Sequence, residues 1–344
     1  MVQLKQNAFE EQFNQALQLH KRGLFPQAEA FYKNVLTQSP NYTPALKNYA
    51  VLSMQNSNFL VAEDLLSKVV HTAHNDEQAS INYAVCKLKL DKRKEAISVL
   101  EEVLTLNPNS DPGNGLLSQI ELPGKIYFEY LKAFHQWLKP ETYVETGVFT
   151  GASLVLASEN TQSIGIDPEP KLSQALNSNT QVYSLTSDDF FSQHDLKSLL
   201  NNRPVDLAFI DGLHIFEAAL KDFINIEKYS KSETVIIFHD CIPLNKATSE
   251  RERVTNFWSG DVWKVVPCLK RYRPDLTIFT IPSPPTGLCV VTNLNPDSNV
   301  LSENYENIIE EYVPLDYDYI ANNKNEILNI AESEWQEIQK RIGN

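Results

Sequence analysis

A period of 34 residues runs through the first third of the chain. Set against itself at that offset, the sequence places Ala16 on Ala50 and Ala84, and Ala28 on Ala62 and Ala96. Leu36, Val70 and Leu104 coincide, as do Pro40, His74 and Pro108. Alanine recurs where two helices must approach closely, and proline recurs where the second helix of each unit stops. A helix pair of this length cannot bury its apolar face alone, so stacked copies are needed to make one continuous core. Gly23 occupies the turn inside the first unit, and Ser57 and Asp91 stand there in the next two.

The pattern resembles the tetratricopeptide repeat, with repeats over 9–42, 43–76 and 77–110. Such arrays present a concave groove to a partner peptide; packing on a neighbouring domain or self-association are equal alternatives. Asn107-Pro108-Asn109-Ser110-Asp111-Pro112-Gly113-Asn114-Gly115 is rich in turn formers, which predicts that the array ends at about 112 and that 113–124 is a linker.

A chain of 344 residues has room for a second domain. No apolar run approaches the ~18–20 residues of a membrane span. Met1–Asn7 has no apolar signal core. Cys86, Cys241, Cys268 and Cys289 form no Cys-x-x-Cys pair, which argues against a structural zinc or redox motif. Reduced thiols in a cytoplasmic protein are the expectation. Lys and Arg number 30 against 44 Asp and Glu, a net charge of −14. Nearly all of the excess lies beyond residue 112. That distribution disfavours a nucleic-acid substrate, whose phosphates call for clustered cations.

From 125 to 293 short apolar runs alternate with helical ones. Strands are predicted at Thr142–Glu145, Ser163–Asp167, Gln181–Leu185, Asp206–Asp211 and Thr234–His239. Phe216, Ala219, Leu220, Phe223 and Ile226 share a helix face between the last two. Strands alternating with helices imply a parallel sheet covered on both faces. Leu276–Thr280 and Leu288–Thr292 are joined too tightly for a crossover, so they should pair antiparallel at the edge.

Ligands of such sheets bind beyond the carboxyl ends of the strands. After the first strand comes Glu145-Thr146-Gly147-Val148-Phe149-Thr150-Gly151-Ala152-Ser153. The chain has only 11 glycines, so two of them four apart at this turn mark a close backbone approach to a ligand or a neighbour. Asp167 ends the second strand, where a carboxylate can accept from both hydroxyls of a ribose. The full Gly-x-Gly-x-x-Gly that seats a pyrophosphate is missing. S-adenosylmethionine, which has an adenosine and no phosphate, fits better than NAD. Asp211 and His214 follow the fourth strand, and His239 and Asp240 end the fifth. Adjacent strand ends bring these four together. They can hold a hard divalent cation through the Asp oxygens, or supply His214 as a general base. His214 capping the next helix and Asp240 satisfying loop amides is the structural alternative.

Together these stretches resemble a class I S-adenosylmethionine-dependent methyltransferase. They are similar to the small-molecule O-methyltransferases of macrolide-sugar and cephalosporin-cluster type. Glu145-Thr-Gly147-x-x-x-Gly151-x-Ser153, Asp167, Thr186-Ser187-Asp188-Asp189, Asp211-Gly-Leu-His214, His239-Asp240 and Gly260-Asp261-Val262-Trp263-Lys264 carry the resemblance. It implies a Rossmann-like seven-stranded domain over 125–293. Glu145, Gly147, Gly151 and Ser153 should line the methionine end of the cofactor. Asp167 should hold the ribose, and Asp188 the adenine side. Asp211, His239 and Asp240 are the expected metal ligands, for Mg2+, with histidine standing where related enzymes carry glutamate. His214 should take the acceptor proton.

Residues 294–344 form an acidic extension. Ile327, Ile330, Ala331, Trp335 and Ile338 predict a helix over Glu326–Arg341 that docks on a domain, or serves as a lid or dimer element. The expected function is O-methylation of a sugar, glycan or secondary-metabolite hydroxyl, with the repeats recruiting a protein. The alternative is an interaction scaffold carrying a weakly active or inactive methyltransferase fold.

Overall fold

The structure, a computed structural model, describes residues 2–73 and 75–343. His74, the middle member of the Pro40/His74/Pro108 column, lies outside the described residues, as does Met1. The chain divides into two compact units, Met1–Ile120 and Glu121–Asn344.

The first unit is a run of helix pairs: α1 (Val2–Lys21) with α2 (Phe25–Gln38), α3 (Thr43–Gln55) with α4 (Phe59–Thr72), and α5 (Glu77–Lys89) with α6 (Arg93–Leu106). All six alanines of the two repeat columns are fully buried. They sit where a larger side chain would push the helices apart. The turn column has one backbone geometry throughout. Gly23, Ser57 and Asp91 adopt φ of 73°, 58° and 61°, the left-handed conformation that only glycine takes without steric cost.

The segment expected as a linker is largely helical. α7 (Asp111–Glu121) starts directly after the turn formers. Ser110 caps it, its Oγ accepting from Gly113 N at 3.0 Å. Pro112 sits in the first turn, where its missing N–H costs nothing. The turn residues therefore open a seventh helix rather than a bridge.

In the second unit α8 (Tyr127–Leu138) precedes the sheet. It is followed by β1 (Thr142–Thr146), β2 (Gln162–Ile166), β3 (Thr180–Tyr183), α9 (Ser187–Gln193), α10 (Leu196–Leu199), β4 (Leu207–Ile210), α11 (Phe216–Glu227), β5 (Val235–Phe238), α12 (Val265–Tyr272), β6 (Thr277–Ile281) and β7 (Leu288–Thr292). Among the described residues these make a seven-stranded sheet ordered β3-β2-β1-β4-β5-β7-β6. β1 to β5 are parallel; β7 runs antiparallel to both β5 and β6. The strand order is Rossmann-like, in a unit that follows the helical repeat array in sequence. Tyr130 and Phe134 of α8 pack with Tyr143, Phe209, Ile237 and Val290 on one face. Phe223 of α11 stacks on Phe238 of β5, with ring centres 5.8 Å apart.

The tail corrects one expectation. Instead of one helix over Glu326–Arg341 there are two, Lys324–Ile327 and Trp335–Gly343. Between them Ile330 bridges Thr280 of β6 in parallel. Thr280 N donates to Asn329 O at 3.0 Å and Ala331 N to Thr280 O at 2.9 Å. The edge strand carries backbone groups with no sheet partner, and pairing them outcompetes a continuous helix. No helix among the described residues is long and apolar enough to cross a membrane.

Candidate functional site

The carboxyl ends of β1, β2, β4 and β5 lie side by side, and the expected residues gather there. Glu145, fully buried on β1, accepts from Ser153 Oγ and from Tyr143 OH, each at 2.6 Å. Burial pushes its carboxyl up to about 8, against the pull of those two hydroxyls. Gly147 turns the chain at φ 84°. A Cβ there would lie 1.9 Å from the carbonyl oxygen of Asp211. The β1 and β4 turns therefore touch backbone to backbone. Gly151 is also left-handed, with φ 77°.

Asp167 follows β2. Its Oδ2 accepts from Phe149 N and its Oδ1 from Glu169 N, both at 2.7 Å. The carboxylate ties the glycine loop to the β2 end, and each oxygen keeps a lone pair for a further donor. Asp188, in the first turn of α9, pairs with Lys221 at 3.2 Å on the open surface.

Beyond β4 and β5 the cluster is tighter. Asp211, His214 and Asp240 each aim one ligand atom into a common space, all within 4.8 Å of one another. His239 stands beside this trio, so His214 occupies the position expected of His239. His239 Nδ1 lies 3.0 Å from Asp211 Oδ1 and 3.3 Å from Asp240 Oδ2. His214 Nδ1 lies 3.1 Å from Asp240 Oδ2, and its Nε2 3.6 Å from Asp211 Oδ1. Two imidazoles thus bridge two carboxylates. Burial alone would lower the His214 pKa; the Asp240 and Asp211 charges outweigh it and raise it to about 9. Burial likewise opposes, and the same two carboxylates override, for His239, which is raised well above the ordinary value. Asp240 sits at φ 61°, a strained geometry for a non-glycine residue at a strand end. Thr286 Oγ1 donates to its Oδ1 at 2.6 Å. Its buried Oδ2 accepts no hydrogen bond and has both imidazoles within ion-pair range.

Three residues that sequence reasoning missed complete the site. The ring of Tyr127, at the start of α8, lies 4.4 Å from that of His239. Thr286 reaches Asp240 from the loop between β6 and β7. Trp258 stacks on His214 at 5.2 Å and 21°, and its carbonyl lies 3.2 Å from His214 Nδ1. The Gly260-Asp261-Val262-Trp263-Lys264 stretch holds this arrangement from behind. A Cβ on Gly260 would sit 1.8 Å from the His214 carbonyl. Buried Asp261 accepts from Phe216 N at 2.7 Å, Arg251 at 2.6 Å and Lys264 at 2.8 Å. It satisfies the first turn of α11 and fixes the loop that carries His214. The sequence signal was the motif itself, whose acid and lysine have the i, i+3 spacing of a local ion pair.

No curated protein matches the chain. The repeat part is similar to solved structures at low identity. MamA from Desulfovibrio magneticus RS-1 is 17% identical over 33% of this chain and 65% of that one, with a TM-score of 0.32. The first TPR of Spaghetti (RPAP3), bound to an HSP90 peptide, is 22% identical over 33% and 89%, with a TM-score of 0.31. The Arabidopsis OM64 TPR domain is 18% identical over 33% and 94%, with a TM-score of 0.31. Residues 144–241, which hold every strand end described above, match the family described as a methyltransferase domain.

Proposed function

We propose that this chain is an S-adenosylmethionine-dependent O-methyltransferase acting on a hydroxyl of a sugar, glycan or secondary metabolite, with the helical repeats docking a protein partner. The observation that carries the reading is the meeting of the Gly147 turn, Asp167 and the His214 cluster at one sheet edge. The residues fit the cofactor. Asp167 has free lone pairs facing away from its two backbone donors, as a ribose diol requires. Gly147 leaves the β1 turn without a side chain where a ligand must come close. A cation bound beside Glu145 would draw its carboxyl, raised by burial to about 8, back toward the ionised form.

When bound, the cofactor supplies an electrophilic methyl group for in-line attack by an oxygen. The chain's own residues do the rest. His214 is the group that takes the acceptor's proton, through Nε2. Asp211 and Asp240 hold the imidazole between them and stabilise its charged form. Trp258 fixes the ring plane. Orienting the two reactants in this way is worth ~7–11 kcal/mol of barrier in well-aligned systems.

The cluster does not fit Mg2+. That ion asks for near-octahedral oxygen donors, whereas here the two carboxylates are already bridged by two imidazole nitrogens. No step is routed through a metal.

Calorimetric titration with S-adenosylmethionine and S-adenosylhomocysteine, on wild type and Asp167→Ala, tests the reading. Binding that the variant loses supports it. Absence of binding to the wild type sinks it and favours the interaction-scaffold reading.

A further inference from the structure

Glu145 is a fully buried carboxyl that has no partner of opposite charge among the described residues. Its two oxygens accept from Tyr143 OH and Ser153 Oγ, both of them neutral hydroxyls. A carboxylate taken out of water is ordinarily paired with a cation. The second unit follows that rule at its other buried acids with one exception. Glu227 pairs with Arg273 at 2.7 Å, Asp261 with Lys264 at 2.8 Å, and Asp240 with the His214 imidazole at 3.1 Å. The exception, Asp222, at least has the Lys221 charge drawing it toward ionisation. Glu145 has no such help.

The titratable groups around it, taken element by element, are neutral or negative. On the same strand, burial keeps Tyr143 a neutral phenol. From α8, His135 packs on the Tyr143 ring at 4.6 Å, and burial lowers it to about 4, so it is uncharged at pH 7. Tyr127, also from α8, is raised by burial and then by the charges of Asp211, Asp240 and Glu145. From the ends of β4 and β2, Asp211 and Asp167 push the Glu145 carboxyl up. The two imidazoles beyond β4 and β5 are already engaged with Asp211 and Asp240. Burial is the largest influence on Glu145, the Ser153 and Tyr143 hydroxyls oppose it, and the carboxyl settles at about 8. At pH 7 the unliganded site therefore keeps a proton on Glu145.

We propose that S-adenosylmethionine binds with release of the Glu145 proton, so that this buried carboxyl becomes the site's counter-charge only when the cationic cofactor is present. This deepens the methyltransferase reading and rests on it. The balance is simple. A protonated carboxyl and a cationic ligand give a carboxylate with the cation bound, and one proton passes to solvent. Direct contact is not required. A positive charge even ~6 Å away, at the effective dielectric of about 20 that describes such sites, is enough to ionise the carboxyl at pH 7. The sign follows from linkage. Below pH 8 binding must expel a proton, so affinity rises with pH; above 8 the carboxyl is already ionised and affinity levels off. Glu145 thus answers the charge of the cofactor rather than its shape.

The test is calorimetric titration of the full chain with S-adenosylmethionine in phosphate and in Tris at pH 7, whose different heats of ionisation count the protons released. The variant is Glu145→Gln, which keeps an oxygen for a hydroxyl donor and cannot ionise. Subtracting variant from wild type removes protons taken up by the cofactor's own α-amine, which titrates nearby. The difference should be roughly 0.8–0.9 proton per cofactor at pH 7 and about 0.1 at pH 9. Affinity of wild type relative to the variant should rise more than tenfold, on the order of the linkage expected, from pH 6 to pH 8. Infrared difference spectra of wild type alone should show a protonated carboxyl band vanish and a carboxylate band grow on binding. That measurement decides the matter even where Glu145→Gln does not fold. Binding with no more proton release than the variant overturns the proposal, as does an unchanged carboxyl band. Binding without release leaves the methyltransferase reading standing. Absence of binding from pH 6 to pH 9 sinks that reading, and this inference with it.

Discussion

Replacing Asp261 by alanine removes the one carboxylate shared by three donors; Arg251 keeps Glu217, whereas Phe216 N and Lys264 lose their acceptor carboxylate. Lys264 is the costly one. It is 1% exposed, and apart from Asp261 its Nζ reaches only Val313 O at 2.9 Å. Burial already depresses its pKa, with Asp261 opposing that fall. Breaking one partner of a buried pair costs about 3–5 kcal/mol, because the remaining charge stays in low dielectric. For a unit of this size that is a fall in melting temperature of roughly 10 °C. The assay is selective. Trp137, Trp258, Trp263 and Trp335 all follow residue 120, so indole emission reports the second unit alone. The double variant Asp261→Ala/Lys264→Met removes the stranded charge and should recover a large part of the loss, since apolar replacement of a whole buried pair is often neutral. A single variant that melts within a degree or two of wild type would refute the buried-charge reasoning. So would a double variant no more stable than the single.

Three further outcomes are expected. Gly147→Ala should lower cofactor affinity more than tenfold and destabilise the second unit. The obstacle to its Cβ is backbone, at 1.9 Å, and the left-handed φ adds about 1–2 kcal/mol; wild-type melting and binding would show that the β1 and β4 turns can part. Because the pKa of His214 is raised to about 9, it is protonated at pH 7. A base must first lose that proton, so kcat/KM should climb close to tenfold per unit from pH 7 and level off near 9. His214→Ala should abolish the climb, and a flat wild-type profile over that range would exclude His214 as the base. Ser57→Gly and Asp91→Gly should each stabilise the repeats by about 0.5–1 kcal/mol, less the added freedom of the unfolded chain. Far-ultraviolet melting reads this, and no gain would mean the positive φ is not strained.

The repeats were legible because their physics is periodic. Ala16, Ala50 and Ala84 meet the same steric demand three times, and a demand repeated at a fixed interval is visible in one sequence. The parallel strands were legible as apolar runs. Asp167, Asp211, His214, His239 and Asp240 could be placed because strand ends in this architecture converge whatever the loops do. Tyr127, Trp258 and Thr286 could not. Each reaches the cluster from a different connection, and nothing local to those connections records what lies across from them. The break at Leu328–Ala331 was hidden for a related reason. The apolar spacing there suits a helix, and only the unpaired backbone of β6, some fifty residues earlier, favours an extended chain. The Asp111 helix is the converse case: the same turn formers suit a chain ending and a helix cap, and here Ser110 caps.

The bridge between Ile330 and Thr280 does more than settle the tail. β6 is the last strand on its side of the sheet. A bare strand there would offer its amides and carbonyls to any extended chain in solution. Thr280 N and O are taken by Asn329 and Ala331, and Asn329 Nδ2 donates to Ile278 O at 2.5 Å. The protein thus shields its own margin from its siblings. A version cut back before Leu328 would keep every strand and every residue of the cluster. It would gain a sticky seam, and the cut would also strip Ala331, Ile338 and Trp335 from the core that Phe134 belongs to.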